Sequence, residues 1–219
     1  MTESIIMCGA SGHARMIADL LNVSGQFELV GVLDNASDSP PSEFCSVAVS
    51  TNLDQLDAWK SDGIIYAIAA VGDNSARSRL SQSLRDRGFE LPSLIHPSAV
   101  VSPTSIIGSG VVIGANAVVG PGCRIEDFAL INSGGIVEHD CLLETAAAIG
   151  PGATVGGGCS LGIESWVGIG AVVNHGVTIG AKTIVGAGAV VVRDLPDQVV
   201  AYGVPAKPMR DVVDGERIV

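Results

Sequence analysis

Branched aliphatic residues recur at every sixth position through the second half of the chain. The series begins at Ile95 and ends at Val191, and all seventeen positions hold Ile, Val or Leu. A period of six matches neither the 3.6-residue repeat of an α-helix nor the alternation of an ordinary half-buried strand. It is the hexapeptide signature of a parallel β-helix, so we expect between five and six triangular coils, each built from three hexapeptides.

The other phases of the repeat support this interpretation. Gly often follows the aliphatic residue, as at Gly108 and Gly114, and the fourth residue after it is small, as at Ala117 and Cys123. We expect the aliphatic side chain to point into the prism and the small residue to fit a corner, where Gly lowers the steric cost of the turn. One coil cannot bury its own apolar face, so stability is summed over neighbouring coils.

The first ninety residues show a different pattern, in which apolar runs alternate with helical periodicity. This alternation predicts a Rossmann-like α/β domain with a parallel sheet. We therefore expect three regions: an α/β domain over 1–93, a β-helix over 94–195 and a C-terminal tail over 196–219. Strands are predicted at 4–8, 27–33 and 64–71, and helices at 16–21, 53–59 and 77–87.

Three loops at the ends of the predicted strands form a candidate ligand site. The loop 9–13 opens a helix, so its amides would face an anion. Asp34 and Asn35 end the second strand, and residues 72–74 end the third. Ligands of such sheets bind beyond the carboxyl ends of the strands. Position 14 lacks the Gly of the dinucleotide fingerprint, so NAD is not expected.

Composition narrows the choice of partners and compartment. The 219 residues carry a net charge of −11, which disfavours nucleic acid and anionic membranes. The chain has no apolar run of membrane-spanning length and no basic signal region, so a cytoplasmic location without membrane insertion is expected. Three of the five cysteines, Cys123, Cys141 and Cys159, are spaced by eighteen and should stack at corners rather than form disulfides.

Five features follow one another along the chain: Gly9-Ala-Ser-Gly-His13, Asp34, Gly72-Asp73-Asn74 with Arg77, His96-Pro-Ser-Ala99 and the hexapeptide array. Taken in this order, they resemble one family over essentially the whole chain. The bacterial nucleotide-sugar N-acetyltransferases are hexapeptide-repeat acyltransferases with the architecture of sialic acid O-acetyltransferases. The resemblance implies a left-handed β-helix, acetyl-CoA as acetyl donor, no metal, and a homotrimer with sites at subunit boundaries. It also implies N-acetylation of a UDP- or GDP-linked 4-amino-4,6-dideoxy sugar, such as GDP-perosamine, for surface polysaccharide or glycan biosynthesis.

The resemblance also implies roles for individual residues. The C-terminal segment Tyr202–Lys207 resembles the family motif that closes over the cofactor, and Lys207, Arg210 or Lys182 would meet its phosphates. The residues expected to bind the nucleotide-sugar are Ser11, Gly12, His13, Asp34, Asn35, Gly72 and Asn74, and those expected to bind acetyl-CoA are Gly157, Ile169, Ala187 and Lys207.

The segment Val137–Cys141 resembles the catalytic segment of the family. There His139 would be the general base, and Asp140, or alternatively Glu138, would orient it. An amine attacking a thioester must lose a proton, and imidazole accepts protons near neutral pH. We expect direct transfer without an acyl-enzyme. Family members often carry a second His nine residues later, where this chain has Ala148.

Three other functions compete with this interpretation. An O-acetyltransferase acting on a sugar hydroxyl, such as that of sialic acid, would use the same histidine. A β-helical carbonic anhydrase would need three clustered histidines, which His96, His139 and His175 are too sparse to provide. A non-enzymatic nucleotide-binding scaffold is favoured only by Ala148.

Overall fold

A computed structural model of the chain describes residues 2–213 and begins with an α/β domain. Its five-stranded sheet has the order β3-β4-β2-β1-β5, and β1, β2, β4 and β5 are parallel. The predicted parallel sheet is therefore confirmed. The elements are β1 (Glu3–Cys8), α1 (Gly12–Ser24), β2 (Phe27–Leu33), β3 (Glu43–Phe44), β4 (Val47–Ser50), α2 (Asp54–Ser61), β5 (Tyr66–Ala69) and α3 (Asn74–Asp86).

One element of this domain was not predicted from the sequence. Strands β3 and β4 form an antiparallel hairpin at the edge of the sheet. Its two turn residues, Cys45 and Ser46, have φ values of 49° and 63°. Positive φ at both positions is typical of a type I′ turn, which usually contains Asn-Gly or Asp-Gly. The Cys-Ser pair carries no such signal.

Helix α3 begins three residues before its predicted start at Arg77. Asp73 has extended backbone angles and its side chain accepts a hydrogen bond from the Ala76 amide at 2.8 Å. This is the geometry of a helix N-cap. The first turn of α3, with Asn74 and Ser75, therefore lies directly after the loop at the end of β5.

The second half of the chain is the expected left-handed parallel β-helix, with seventeen two-residue strands. The strands form the three faces of a prism. In chain order they are β6 (Leu94–Ile95), β7 (Val100–Val101), β8 (Ile106–Ile107), β9 (Val112–Ile113), β10 (Val118–Val119), β11 (Arg124–Ile125), β12 (Leu130–Ile131), β13 (Ile136–Val137), β14 (Leu142–Leu143), β15 (Ala148–Ile149), β16 (Thr154–Val155), β17 (Ser160–Leu161), β18 (Trp166–Val167), β19 (Val172–Val173), β20 (Thr178–Ile179), β21 (Ile184–Val185) and β22 (Val190–Val191).

The predicted aliphatic series fills the prism. From Ile113 to Val191 every member of the series is at most 1% exposed, and the small corner residues Cys123, Cys141 and Cys159 pack with them. Each strand pairs in parallel with the strand eighteen residues away, as Val137 does with Val155. In each two-residue strand the side chain before the aliphatic of the series faces outward, and these outward side chains determine how polar each face is.

The three faces differ in what covers them. The covered face contains β6, β9, β12, β15, β18 and β21; the apolar face contains β7, β10, β13, β16, β19 and β22; and the third face contains β8, β11, β14, β17 and β20. Turns from the covered to the apolar face form the first edge, turns from the apolar to the third face form the second edge, and turns back to the covered face form the third edge.

The α/β domain packs against the covered face through a shared apolar core. Outward residues of this face, among them Val112, Leu130 and Ala148, are at most 1% exposed and contact a cluster that includes Ile5 and Ile17. Burial of this continuous apolar surface fixes the domain against the prism, because apolar area removed from water stabilises the contact.

The covered face continues beyond residue 195. Strand β23 (Val199–Gly203) pairs in parallel with β21, and β24 (Ala206–Asp211) pairs antiparallel with β23. The chain then returns along the prism, where the Val212 amide bonds to the Gln198 carbonyl at 2.8 Å. Residues 214–219 of the expected tail lie outside the described residues.

Candidate active site

His139 and Asp140 lie together on the second edge, in the turn after β13. The distance from His139 Nδ1 to Asp140 Oδ2 is 2.9 Å, and the two side chains are 60% and 72% exposed. Asp140 has a φ of 58°, a left-handed conformation that is uncommon for a residue other than Gly. The 2.9 Å contact shows that Asp140, rather than Glu138, is the carboxylate that contacts the ring.

Backbone hydrogen bonds hold this turn in place. The Gly158 amide donates to the His139 carbonyl at 2.8 Å, and the Asp140 amide donates to the Pro121 carbonyl at 2.9 Å. The turn is therefore tied to the coils before and after it. A fixed backbone with an exposed imidazole is what a positioned proton acceptor requires.

Gly157 lies one coil further along the second edge, directly against the imidazole. A Cβ added at Gly157 would lie 2.4 Å from His139 Nε2. Gly157 is therefore required for space, because any side chain would displace the ring. His175 is exposed on the same edge, one coil beyond Gly157.

A cavity of about 1040 Å³ lies between the α/β domain and the covered face. Three residues expected to bind the nucleotide-sugar, Gly12, His13 and Gly72, line it. It spans the covered face from the third edge, with Lys182, to the first edge, with Ile169. A space of this size is suitable for a ligand as large as a nucleotide-sugar.

His13 is held neutral at the wall of this cavity. Burial lowers its pKa to about 4, and the positive charge of Arg77 acts in the same direction. Its Nε2 is buried and has no hydrogen-bond partner within the described part of the chain. A buried polar atom without a partner is costly, which makes this nitrogen a candidate contact for a ligand.

The other predicted residues of the α/β domain have different positions. Ser11 and Asn35 are exposed and do not line the cavity. Asp34 connects two loops: its carboxylate accepts hydrogen bonds from the Ala10 amide at 3.2 Å and from the Ser37 amide at 3.2 Å. Asp34 therefore shapes the loops at the carboxyl ends of β1 and β2.

The side chain of Asn74 does not reach the cavity. It is fully buried and donates hydrogen bonds to the carbonyls of Glu164 and Ser165 at 3.1 and 2.8 Å, while its oxygen accepts one from Arg77 Nη2 at 2.8 Å. These contacts join the α/β domain to the third edge. In the structure Asn74 is an interdomain contact.

Arg77 makes a second interdomain contact that sequence reasoning did not identify. Its guanidinium is 2% exposed and donates to the Phe128 carbonyl at 2.9 Å, the Ala146 carbonyl at 3.0 Å and the Gly72 carbonyl at 3.2 Å. Burial lowers its pKa to about 10, and the carboxylates of Asp73 and Glu164 partly offset this. The guanidinium therefore holds the loop at the end of β5 against the prism.

The sequence of the third edge carries a signal for the contact between the prism and the α/β domain. At the corresponding corners of the first and second edges, Gly often adopts the left-handed conformation, as at Gly152. On the third edge Gly110 is the first of these corners, and the four that follow have side chains: Phe128, Ala146, Glu164 and Lys182 have φ values of 63°, 56°, 57° and 56°. All four lie where the α/β domain or its cavity meets the prism.

The expected acetyl-CoA residues are not brought together within one chain. Gly157 lies on the second edge with His139, whereas Ile169 and Ala187 lie on the first edge, across the apolar face. Ile169 is 57% exposed, and Ala187 and Lys207 are also exposed. The candidate base and the cavity are therefore at opposite borders of one face.

Ala148 occupies a covered position away from this edge. It lies on β15 of the covered face between Leu130 and Trp166, and it is fully buried. Among residues 2–213, no group of three or more His, Cys, Asp or Glu residues could hold a metal ion, and no helix could cross a membrane.

Comparisons with known proteins agree with this architecture. The chain matches the family model of the PglD N-terminal domain over residues 4–84 and that of the GMPPB C-terminal domain over residues 89–161. A curated relative, UDP-N-acetylbacillosamine N-acetyltransferase of Bacillus subtilis, is 34% identical over 123 residues, which are 52% of this chain and 52% of that protein. The match thus spans about half the length of that relative.

Solved structures match over nearly their whole length. A histidine-to-alanine mutant of GDP-perosamine N-acetyltransferase of Caulobacter crescentus, in complex with CoA and GDP-perosamine, has a TM-score of 0.90 and 40% identity, with 96% of this chain and 99% of that chain covered. The acetyltransferase domain of PglB from Neisseria gonorrhoeae, in complex with acetyl coenzyme A, has a TM-score of 0.87 and 35% identity, with 95% and 100% covered.

The α/β domain docked on a β-helical prism is the architecture that these acetyltransferases share, so the class is that of the hexapeptide-repeat acyltransferases. The identity and coverage above are decisive for the family. The chain belongs to the nucleotide-sugar N-acetyltransferases, and it is an acetyltransferase. The expected acetyl donor, acetyl-CoA, is confirmed by the ligands of these relatives.

Proposed function

We propose that this protein transfers the acetyl group of acetyl-CoA to the amino group of a UDP- or GDP-linked amino-deoxy sugar, with His139 as general base. The observation that carries the proposal is the exposed, Asp140-paired imidazole beside Gly157. The substrates named for the relatives, GDP-perosamine and the bacillosamine derivative, support the substrate class. The product would serve surface polysaccharide or glycan biosynthesis, with the reaction in the cytoplasm.

The imidazole is suitably arranged for this role. Nδ1–H donates to Asp140, which leaves Nε2 as the proton acceptor. The sugar amine attacks the thioester carbonyl carbon, Nε2 takes the amine proton, the C–S bond breaks, and the proton passes to the departing CoA sulfur. Ala148 stands where family members often have a second His, and it is buried on the covered face. We therefore expect backbone amides, rather than a side chain at this position, to stabilise the oxyanion.

Direct transfer fits the chemistry of the neighbouring thiol. Cys141 lies two residues after His139, but its Sγ points inward and donates to the Gly156 carbonyl at 3.2 Å. Burial raises the pKa of this thiol to about 12. A buried thiol of this kind is a poor nucleophile, which supports a mechanism without an acyl-enzyme.

A homotrimer would complete the site. The outward side chains of the apolar face are aliphatic apart from one threonine, and Val100 and Val172 are 64% and 44% exposed. Such a surface favours association with another copy, and cyclic closure of a head-to-tail contact gives a ring. The six outward residues are Val100, Val118, Ile136, Thr154, Val172 and Val190.

The borders of this face explain why the ring matters. His139 and Gly157 lie at one border, and Ile169 and Ala187 lie at the other. A head-to-tail contact brings the second edge of one copy to the first edge of the next. The candidate base of one subunit would then meet the cavity of its neighbour, with acetyl-CoA in the groove between the two prisms.

The test is a thiol-release assay with acetyl-CoA and a panel of UDP- and GDP-linked 4-amino sugars. Matched free amino sugars and sialic acid are included. We expect release with at least one nucleotide-linked amine and an amide in the product. Acetylation of sialic acid alone would favour the O-acetyltransferase, and no release with any acceptor would contradict the proposal.

A further inference from the structure

Two cations from different domains face the cavity. Arg79 is exposed on α3 of the α/β domain, and Lys182 extends from the third edge of the prism with its side chain 57% exposed. The carboxylates of Asp73 and Glu164 also line the cavity. Asp73 is the N-cap of α3, however, so its charge is directed toward the helix.

Lys182 is held toward the cavity by a chain of contacts. Its Nζ lies 3.8 Å from Glu164 Oε2, and the same carboxylate oxygen accepts a hydrogen bond from Ser75 Oγ. The Glu164 side chain is only 13% exposed, so it is fixed by the domain interface. The lysine therefore has a preferred position at the cavity rim and is not a freely solvated surface residue.

The backbone at Lys182 also indicates a selected side chain. Its φ of 56° is a conformation that costs little only for Gly, and Gly152, Gly170 and Gly188 adopt it at corresponding corners. A residue that retains such a conformation at a ligand cavity points to a function for its side chain.

The two ends of the cavity give the ligand a direction. Pro151 and Ile169 lie at the first edge, which would face the neighbouring copy in the proposed ring, while Glu164 and Lys182 lie at the third edge. The sugar amine must lie at the first edge to reach a base on the next subunit. The nucleotide and its phosphates then extend toward α3 and the third edge.

We propose that Arg79 and Lys182 bind the diphosphate of the nucleotide-linked sugar, so that substrate binding spans both domains. This inference rests on the proposed function and deepens it. It assigns Lys182 to the nucleotide-sugar rather than to the phosphates of CoA, which the sequence had left open. Charge-assisted contacts to phosphate are among the stronger polar interactions, so each cation should contribute measurably.

The experiment is calorimetric titration of UDP and GDP into the wild type, Arg79→Met and Lys182→Met. Arg87→Met is the matched control, because Arg87 follows α3, pairs with Asp57 and does not line the cavity. We expect the Kd of the preferred diphosphate to rise about tenfold or more in the two cavity variants, a factor typical of one lost charge-assisted contact. The control, and the binding of acetyl-CoA and of uridine or guanosine, should be unchanged.

The possible results test the diphosphate assignment and the proposed function separately. A wild type that binds neither UDP nor GDP would contradict the proposed function itself. Unchanged diphosphate binding in both cavity variants would overturn the assignment alone, as would weaker binding of acetyl-CoA without weaker binding of UDP and GDP. If Lys182→Met does not fold, Lys182→Gly, which places at this corner the residue that its conformation favours, provides the same test.

Discussion

Replacement of Gly157 by Ala would test whether the position of the imidazole limits catalysis. The added Cβ would lie 2.4 Å from His139 Nε2, whereas an unstrained contact needs about 3.5 Å. The ring must therefore move by about 1 Å. A displacement of this size at a reacting group can lower the rate about 10²-fold, and we expect a loss of that order in kcat.

The fold should tolerate this change. The His139 side chain is 60% exposed, so it can rotate into solvent without disturbing the prism. The melting temperature of Gly157→Ala should stay within a few degrees of that of the wild type, as measured by circular dichroism. A large loss of stability would show that Gly157 is needed by the coil rather than by the ring.

A double-mutant cycle distinguishes an effect through His139 from a direct effect on acetyl-CoA. If Gly157 acts only by leaving space for the imidazole, Gly157→Ala should cost nothing further once His139 is Asn. Rates are measured at saturating acetyl-CoA, with its KM recorded for each variant. Additive losses in the double variant, or a single variant as fast as the wild type, would refute this reasoning.

Three further predictions follow from the site, the apolar face and the buried histidine. His139→Asn should lower kcat by about 10²–10⁴-fold with nucleotide-sugar affinity kept, and Asp140→Asn should lower kcat less. If both variants turn over as fast as the wild type, His139 is not the general base. The solution mass should be three times that of the chain, and Val172→Asp should lower it, whereas Ile106→Asp on the third face should not; a fully active monomer would contradict a site between copies. Because burial lowers the pKa of His13 to about 4 from an ordinary 6.5, the unfolded state binds its proton first, so stability should fall as pH drops from about 6.5 to 4. His13→Gln should flatten that dependence in urea titrations, and an unchanged slope would show that another group is responsible.

The β-helix could be predicted from the sequence because one physical requirement repeats at every turn. Each aliphatic of the series must fill the prism, so the period of six identifies the fold and the buried residues. The same repetition predicted the stacked corners of Cys123, Cys141 and Cys159, all of which are buried. The β3–β4 hairpin has no comparable repeat, and the Cys-Ser pair at its turn gives no warning of positive φ.

The candidate site was less predictable because proximity depends on packing between domains. A polar residue in a loop can equally bind a ligand or another part of the chain, and the sequence around Asn74 does not distinguish these two roles. Arg77 shows the same limit, since a guanidinium that donates to prism carbonyls fifty or more residues away has no local signal. The informative pattern was the run of left-handed corners with side chains, such as Glu164 and Lys182, on a single edge.

The position of the two half-sites at opposite borders of the apolar face has a consequence for mixtures of defective subunits. A copy that lacks the base and a copy that cannot hold the nucleotide-sugar would each be inactive alone. In a ring assembled from both, about a quarter of the boundaries would join an intact base to an intact cavity if mixing is random. The two inactive variants, unfolded and refolded together, would then recover activity that neither variant has by itself.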